Sequence, residues 1–264
     1  MRADPGGPIR PMHSPVRFCS PSRNNVVSGN ELLIIRGVSM NERTREQQYQ
    51  YMVDRRGREG LASLGIMSGQ VWHDDPKRLT FLLARYKFVA KMLAGSEKVL
   101  EVGCADAFGT RIVQQAVGSV TAVDFDPIFV EDVKARMTEK WRFECQVHDM
   151  LKGPMPAPFD AAYAVDVLEH ILPEDEATFV ANIAESLSSR GVLIVGSPSI
   201  QSQAYASPVS KEGHVNCKDE PGMRNLMNNY INNVFMFSMN DEVVHTGFYP
   251  LAHYLFAVCC SKKA

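Results

Sequence analysis

The sequence has no apolar run approaching the ~18 residues that a membrane-crossing helix needs, so no stretch of it reads as a transmembrane span. It lacks an excess of either charge. Its 28 Lys and Arg against 30 Asp and Glu leave a net charge of −2, far from the basic surplus of a nucleic-acid coat. Cysteine is scarce and unpatterned: Cys19, Cys104, Cys145, Cys217, Cys259 and Cys260 include no C-x-x-C spacing. That argues against a disulfide framework or a zinc cluster and points to a reducing compartment, so a cytoplasmic protein without a metal is expected. Internal repeats are absent. The glycine-rich dinucleotide fingerprint is missing too: positions 103, 105 and 108 hold Gly, Ala and Phe. A phosphate cradle needs bare backbone there, and its third glycine lets helix and strand pack closely.

What is present is ordinary globular material. Hydrophobic residues make up 45% and charged residues 22% of 264 positions, enough for one or two domains with a full core. Residues 1–42 stand apart. Pro5, Pro8, Pro11, Pro15 and Pro21 punctuate a basic stretch, and the apolar patch Leu32–Ile35 stops at Arg36 and Gly37. A disordered tail is expected, with a transit peptide or a native start at Met40 as alternatives. Residues 43–95 read as an N-terminal helical cap. Asp75–Pro76 opens its long helix, Leu79, Leu82, Leu83, Tyr86, Val89 and Leu93 follow helical spacing, and Gly95 closes it. The charges of "ARYK" (84–87) and "RTREQQ" (43–48) read as solvated. "QVWHDD" (70–75) reads equally as a lid over a ligand, with Trp72 stacking, or as a capped helix start.

From Lys98 onward short apolar strands alternate with helices. "KVLEVGC", "SVTAVDFD", "RFECQVHDM", "FDAAYAVDVL" and "GVLIVGSPS" are the strands; "TRIVQQAV", "PIFVEDVKARM" and "PEDEATFVANIAESLSSRG" are the helices. This is the pattern of an α/β, doubly wound, largely parallel sheet covered on both faces. A polar, Ser/Asn/Gly-rich insert spans 197–233. "NVFMFSMND" and "HYLFAVCCSKK" then close the chain as an antiparallel pair.

Four acids fall at strand ends, where open α/β sheets bind ligands. Glu101 carries a carboxylate read as free. Asp124 lies 21 positions after Gly103, the place of a ribose-binding acid, with Phe125 beside it. Asp149 ends the third strand, where a carboxylate bonds an exocyclic amine, and Asp166 ends the fourth. A ligand with ribose, an adenine amine, an ammonium group and no phosphate would be S-adenosylmethionine.

These residues, with "VLEVGCADAFGT" and "DVLEHI" (166–171), resemble the class I S-adenosylmethionine-dependent methyltransferases over residues 75–264. The likeness is greatest to the small-molecule branch, similar to ubiquinone-pathway and sugar methyltransferases. The resemblance implies a Rossmann-like, seven-stranded sheet of order 3-2-1-4-5-7-6 with an antiparallel last strand, and a methyltransferase domain at 96–264. It implies that Glu101, Gly103 and the turn through Ala105 hold the methionine part. Asp124 and Phe125 would hold the ribose side, Asp149 and Met150 the adenine, and Asp166 would lie beside the sulfonium. The family usually has glycine where this chain has Ala105 and Ala107.

A hydroxyl acceptor must also lose a proton. His170 is the first candidate base, followed by His214, His245 and His253. The expected function is O-methylation of a polar small molecule, a sugar or sugar nucleotide, with S-adenosylhomocysteine as product. No nucleic-acid or membrane partner is expected, and a homodimer is left open. The competing readings are a cofactor-binding scaffold without turnover, supported by Ala105 and Ala107, and a nicotinamide oxidoreductase, opposed by Phe108. The Met-rich stretch 223–239 reads as core or as an adaptable wall for the acceptor.

Overall fold

The structure is a computed structural model that describes residues 42–156 and 158–263. The tail expected over 1–42, with the Leu32–Ile35 patch, Cys19 and the start at Met40, therefore lies almost wholly outside the described residues. The chain divides into two units at Gly60 and Leu61. The described part of the first holds a 3-10 turn, Gln47–Tyr49, and helix α1, Gln50–Glu59. Its side chains are exposed or half-buried. Arg56 pairs with Glu42, and Gly60 ends the helix with φ 75°, the conformation glycine adopts freely.

The second unit begins with helices α2, Ile66–Asp74, and α3, Lys77–Met92. Strands and helices then alternate: β1 Lys98–Val102, α4 Thr110–Gln114, β2 Ser119–Asp124, α5 Pro127–Arg136, β3 Glu144–Val147, β4 Phe159–Val165, α6 Glu176–Glu185 and β5 Leu187–Pro198. The insert carries α7, Pro208–Gly213, and α8, Glu220–Asn228; β6 Ile231–Asn240, β7 Val243–His245 and β8 Tyr254–Lys262 close the unit.

The sheet order is β3-β2-β1-β4-β5-β8-β6-β7. β1 to β5 pair in parallel, and β8 is antiparallel to both β5 and β6. The parallel sheet with an antiparallel last strand is as expected. Seven strands were expected and eight are present among the described residues: β7 adds a short edge strand to β6. It escapes the apolar pattern because only three residues pair, Val243 to His245 opposite Asn240 to Ser238.

Period-two alternation sorts each strand onto two cores. Leu100, Ala162, Ala164, Leu193, Leu255 and Ala257 face Phe179, Val180 and Ile183 of α6 and Met223 and Met227 of α8. Val99, Ala161, Tyr163, Ile194, Phe256 and Val258 face Tyr86 and Val89 of α3, Leu93 at its C-terminal end and Val113 of α4. The methionines of α8 are thus core. Burying a Leu- or Phe-sized side chain contributes about 1.5–3 kcal/mol each, so these two layers hold the strand ends in fixed register.

Helix α6 is shorter than its sequence suggested, because "SLSSRG" does not continue it. The Ser186 hydroxyl donates to the Asn182 carbonyl at 2.8 Å, and the Ser186 carbonyl accepts from the Phe159 N–H at 2.9 Å. That side-chain competition pulls the chain into β5. Among the described residues no helix is long and apolar enough to cross a membrane, and Cys104, Cys145, Cys217, Cys259 and Cys260 are free thiols.

Candidate functional site

The turn after β1 is held by main-chain conformation. Gly103, Ala105 and Ala107 all have left-handed φ, at 72°, 46° and 51°. A Cβ on Gly103 would stand 2.5 Å from Val167 Cγ2, so only glycine fits. The two alanines pay roughly 1–2 kcal/mol each for the left-handed backbone. Asp124 secures the turn. Its Oδ2 accepts from the Ala105 N–H at 2.8 Å and its Oδ1 from the Asp126 N–H at 3.0 Å. The role of the missing third glycine passes to Gly109, where a Cβ would lie 2.3 Å from the Tyr86 ring. This close approach seats α3 against the start of α4.

Glu101 is not free as expected. It follows Val99 by two positions, so its side chain enters the α3 face. It is fully buried, accepting from the Tyr86 hydroxyl at 2.9 Å and the Thr110 hydroxyl at 2.6 Å. Burial pushes its carboxyl up to about 7, despite those two hydroxyl donors. Glu101 therefore braces the turn from beneath.

Asp124, Asp149 and Asp166 follow or end β2, β3 and β4 on one edge of the sheet. At ~4.8 Å between strands, the edge from β3 to β4 spans about 14 Å. Phe125 is exposed beside Asp124. Asp149 Oδ1 accepts from the Leu151 N–H at 3.0 Å, while the Met150 carbonyl accepts from Asn182 Nδ2 at 2.6 Å. The first turn of α2 docks onto the turn after β1: the Ser68 N–H donates to Asp106 Oδ2 at 2.6 Å and the Ser68 hydroxyl to Asp106 Oδ1 at 3.1 Å. Trp72, farther along that helix, is exposed.

Asp166 also has a left-handed backbone, φ 60°. Its carboxylate receives Arg85 Nη1 at 2.7 and 2.6 Å, and the guanidinium lies 4.0 Å over the Tyr254 ring. Arg85 is thus no solvated charge; it neutralises the acid expected beside the sulfonium. Its position invited the misreading, since it lies at the margin of the inward stripe, between Leu82 and Val89.

The next turn of chain, Leu168–His170, is a 3-10 helix. The Glu169 carbonyl accepts the N–H groups of Val215 and Asn216 at 2.8 and 3.0 Å. This ties the insert to the end of β4 and brings His214 beside His170, with ring centroids 5.2 Å apart. His170 Nδ1 bonds the Gly213 carbonyl at 2.8 Å, and His214 Nδ1 bonds Gln203 Oε1 at 2.9 Å. Burial, then the neighbouring His170, lowers the pKa of His214. The Glu169 side chain is buried with Oε2 unpartnered; burial, then the Asp166 charge, raises its pKa well above the ordinary range. Glu169 stands within "DVLEHI" (166–171), where nothing local singles it out. His245 and His253 do not join this cluster. His245 sits on the edge strand β7, bonded to Asn240 Oδ1 at 2.9 Å, and His253 is exposed ahead of β8.

The strand-end acids suit the hydroxyls and amine of an S-adenosylmethionine-like nucleoside. Gly103 lets the turn pack directly on Val167 of the connection after β4, and the Asp124 carboxylate retains lone pairs beyond its two backbone donors. Known proteins agree. Residues 99–191 match the family model described as "Methyltransferase domain". A probable S-adenosylmethionine-dependent methyltransferase of Mycobacterium tuberculosis is 31% identical over 118 residues, 43% of this chain and 41% of that protein. The mitochondrial ubiquinone biosynthesis O-methyltransferase of Schizosaccharomyces pombe is 27% identical over 124 residues, 45% of this chain and 44% of that protein. The matches thus span less than half the length of these relatives. The crystal structure of the N-methyltransferase NodS from Bradyrhizobium japonicum with S-adenosyl-L-homocysteine superposes with a TM-score of 0.54 at 16% identity, covering 82% of this chain and 99% of that one. A TehB-like methyltransferase from Corynebacterium glutamicum gives 0.56 at 16% identity, over 74% and 95%. The resemblance read from the sequence, to class I S-adenosylmethionine-dependent methyltransferases, is borne out.

Proposed function

We propose that this class I methyltransferase domain transfers the methyl group of S-adenosylmethionine to a hydroxyl of a polar small molecule, of the sugar or sugar-nucleotide kind. The observation that carries the proposal is the joining of the strand-end turn (Gly103, Ala105, Asp124) to the Glu169–His170–His214 cluster through the single connection after β4. When bound, S-adenosylmethionine supplies a methyl group already activated by its sulfonium. The chain's own residues then have three tasks: holding the nucleoside, aligning the acceptor and disposing of the acceptor proton. The turn and Asp124 hold. The polar insert, tied to Glu169, lines the acceptor side. The proton is released at the Glu169–His170–His214 cluster. Alignment supplies much of the rate in such an in-line displacement. A hydroxyl acceptor is favoured because basic groups cluster where the proton must go, and the ubiquinone relative's name is that of an O-methyltransferase.

The test is calorimetry with S-adenosylmethionine followed by a mass-spectrometric acceptor screen. Binding of the cofactor and a mass gain of one methyl on a sugar hydroxyl are expected. Gly103→Ala is expected to weaken cofactor binding at least about 100-fold, since the new Cβ meets Val167 at a left-handed position. Partial recovery in Gly103→Ala/Val167→Ala would locate the cause. Tight cofactor binding with no product on any hydroxyl acceptor would favour the scaffold reading instead.

A further inference from the structure

Glu169, His170 and His214 present one donor atom each within 4.8 Å of one another, and three features of their surroundings point the same way. Both imidazoles are oriented through Nδ1, His170 by the Gly213 carbonyl and His214 by the Gln203 amide oxygen. An oxygen acceptor on Nδ1 makes that nitrogen the N–H donor and leaves Nε2 with its lone pair free. This is how proteins orient metal-binding histidines. The Glu169 side chain is 1% exposed as a residue, and its Oε2 has no hydrogen-bond partner, an expensive arrangement for a buried carboxylate. The segment carrying His214 is also fixed firmly. Besides the two backbone bonds to Glu169, Asn216 donates to Glu176 at 2.8 Å and Lys218 pairs with Glu176 at 2.6 Å.

We propose that Glu169, His170 and His214 bind a divalent transition-metal ion of the zinc or cobalt kind. Two imidazoles and one carboxylate suit such borderline cations, whereas magnesium and calcium take oxygen donors. Three protein ligands leave a coordination position open, as in catalytic zinc sites. Asp166 stays out of the set because Arg85 occupies both of its carboxylate oxygens. The exposed His170 gives the ion a route in from solvent. This proposal deepens the methyl-transfer reading and rests on it for its role. An ion here lowers the pKa of an acceptor hydroxyl in its open position. The hydroxyl proton passes to solvent, the acceptor oxygen bonds the methyl carbon, and the carbon–sulfur bond breaks with its electron pair on sulfur.

The test titrates the full, metal-stripped chain with Co²⁺, following visible absorption, and competes the ion off with Zn²⁺. One Co²⁺ per chain is expected. Glu169→Gln and His214→Ala should each lose at least about tenfold in affinity, while His73→Ala, at an exposed histidine elsewhere, should lose none. Binding well below one ion per chain, or equal binding by wild type, Glu169→Gln and His214→Ala, overturns the site. Glu169→Gln keeps the shape of the side chain, and its melting curve reports whether it folds. Acceptor methylation by the stripped chain at the rate of the loaded one overturns the role. A chain that binds Co²⁺ through these side chains but methylates no acceptor would sink the methyl-transfer reading and leave the site standing.

Discussion

The edge of the sheet formed by β1 to β3 and the region after β4 treat their polar groups in opposite ways. On the first side each acid is already engaged: Glu101 by two hydroxyls, Asp124 by two backbone N–H groups, Asp149 by the start of the next turn. After β4 the chain leaves capacity unspent: Glu169 Oε2 has no partner, and two imidazoles keep a ring nitrogen free. The first region spends its side chains on shaping backbone, which suits binding one invariant nucleoside. The second keeps side-chain valence available, which suits chemistry on a variable partner.

The largest expected effect tests whether Glu101 belongs wholly to the first kind. Its carboxyl titrates near 7 in the folded chain against an ordinary 4.5. The folded state therefore holds the proton more tightly than the unfolded state. The sign follows: this acid favours folding below about pH 4.5, and that contribution fades as pH rises toward 7, by about 3 kcal/mol in total. Urea midpoints measured from pH 4.5 to 8 should show the fall, and Glu101→Gln should flatten it. A wild-type profile that rises through this window would mean that Glu101 titrates as an open acid, and the contrast would fail on its stronger side.

A smaller effect is expected where the two regions meet. Arg85→Met leaves Asp166 charged, half-buried and unpaired, and should cost about 2 kcal/mol of stability, less than for a fully buried pair because both partners keep some solvent contact. Cofactor affinity in the same variant sharpens the comparison. An Asp166 released from Arg85 is a bare anion for the sulfonium, so affinity should hold or rise while stability drops. A parallel fall in both, by calorimetry and melting, would make Arg85 part of the nucleoside grip.

The smallest effect concerns strain. Ala105→Gly relieves a left-handed alanine at φ 46° and should add up to about 1 kcal/mol of stability, the backbone gain being partly offset by the entropy of glycine. A loss of stability would show that the Ala105 methyl packs usefully. That would also remove the reason for regarding the glycine-poor turn as a weakened one.

The sheet was legible because its strands are continuous apolar runs, and the acids were legible because strand ends fall where those runs stop. Periodicity alone could have gone further with Glu101. Its parity with Val99 places it under α3, and Tyr86 on the inward stripe is the hydroxyl that meets it. Arg85 was opaque because a cation one position from that stripe reads as surface until the strand end beneath it is known. Glu169 was hidden for a different reason. Nothing local marks an orphaned oxygen; it becomes visible only when residues 214–216, some 45 positions later in sequence, fold back onto its carbonyl.

That fold-back constrains anyone who would exchange the insert to alter what the proposed site recognises. Val215 and Asn216 hang from the Glu169 main chain, so His214 travels with whatever loop is grafted. Selectivity and reactivity are therefore inherited as one cassette, bounded by the end of β5 and the start of β6. A chimera that exchanges the whole segment would carry off one of the imidazoles, His214, along with the specificity it was meant to change.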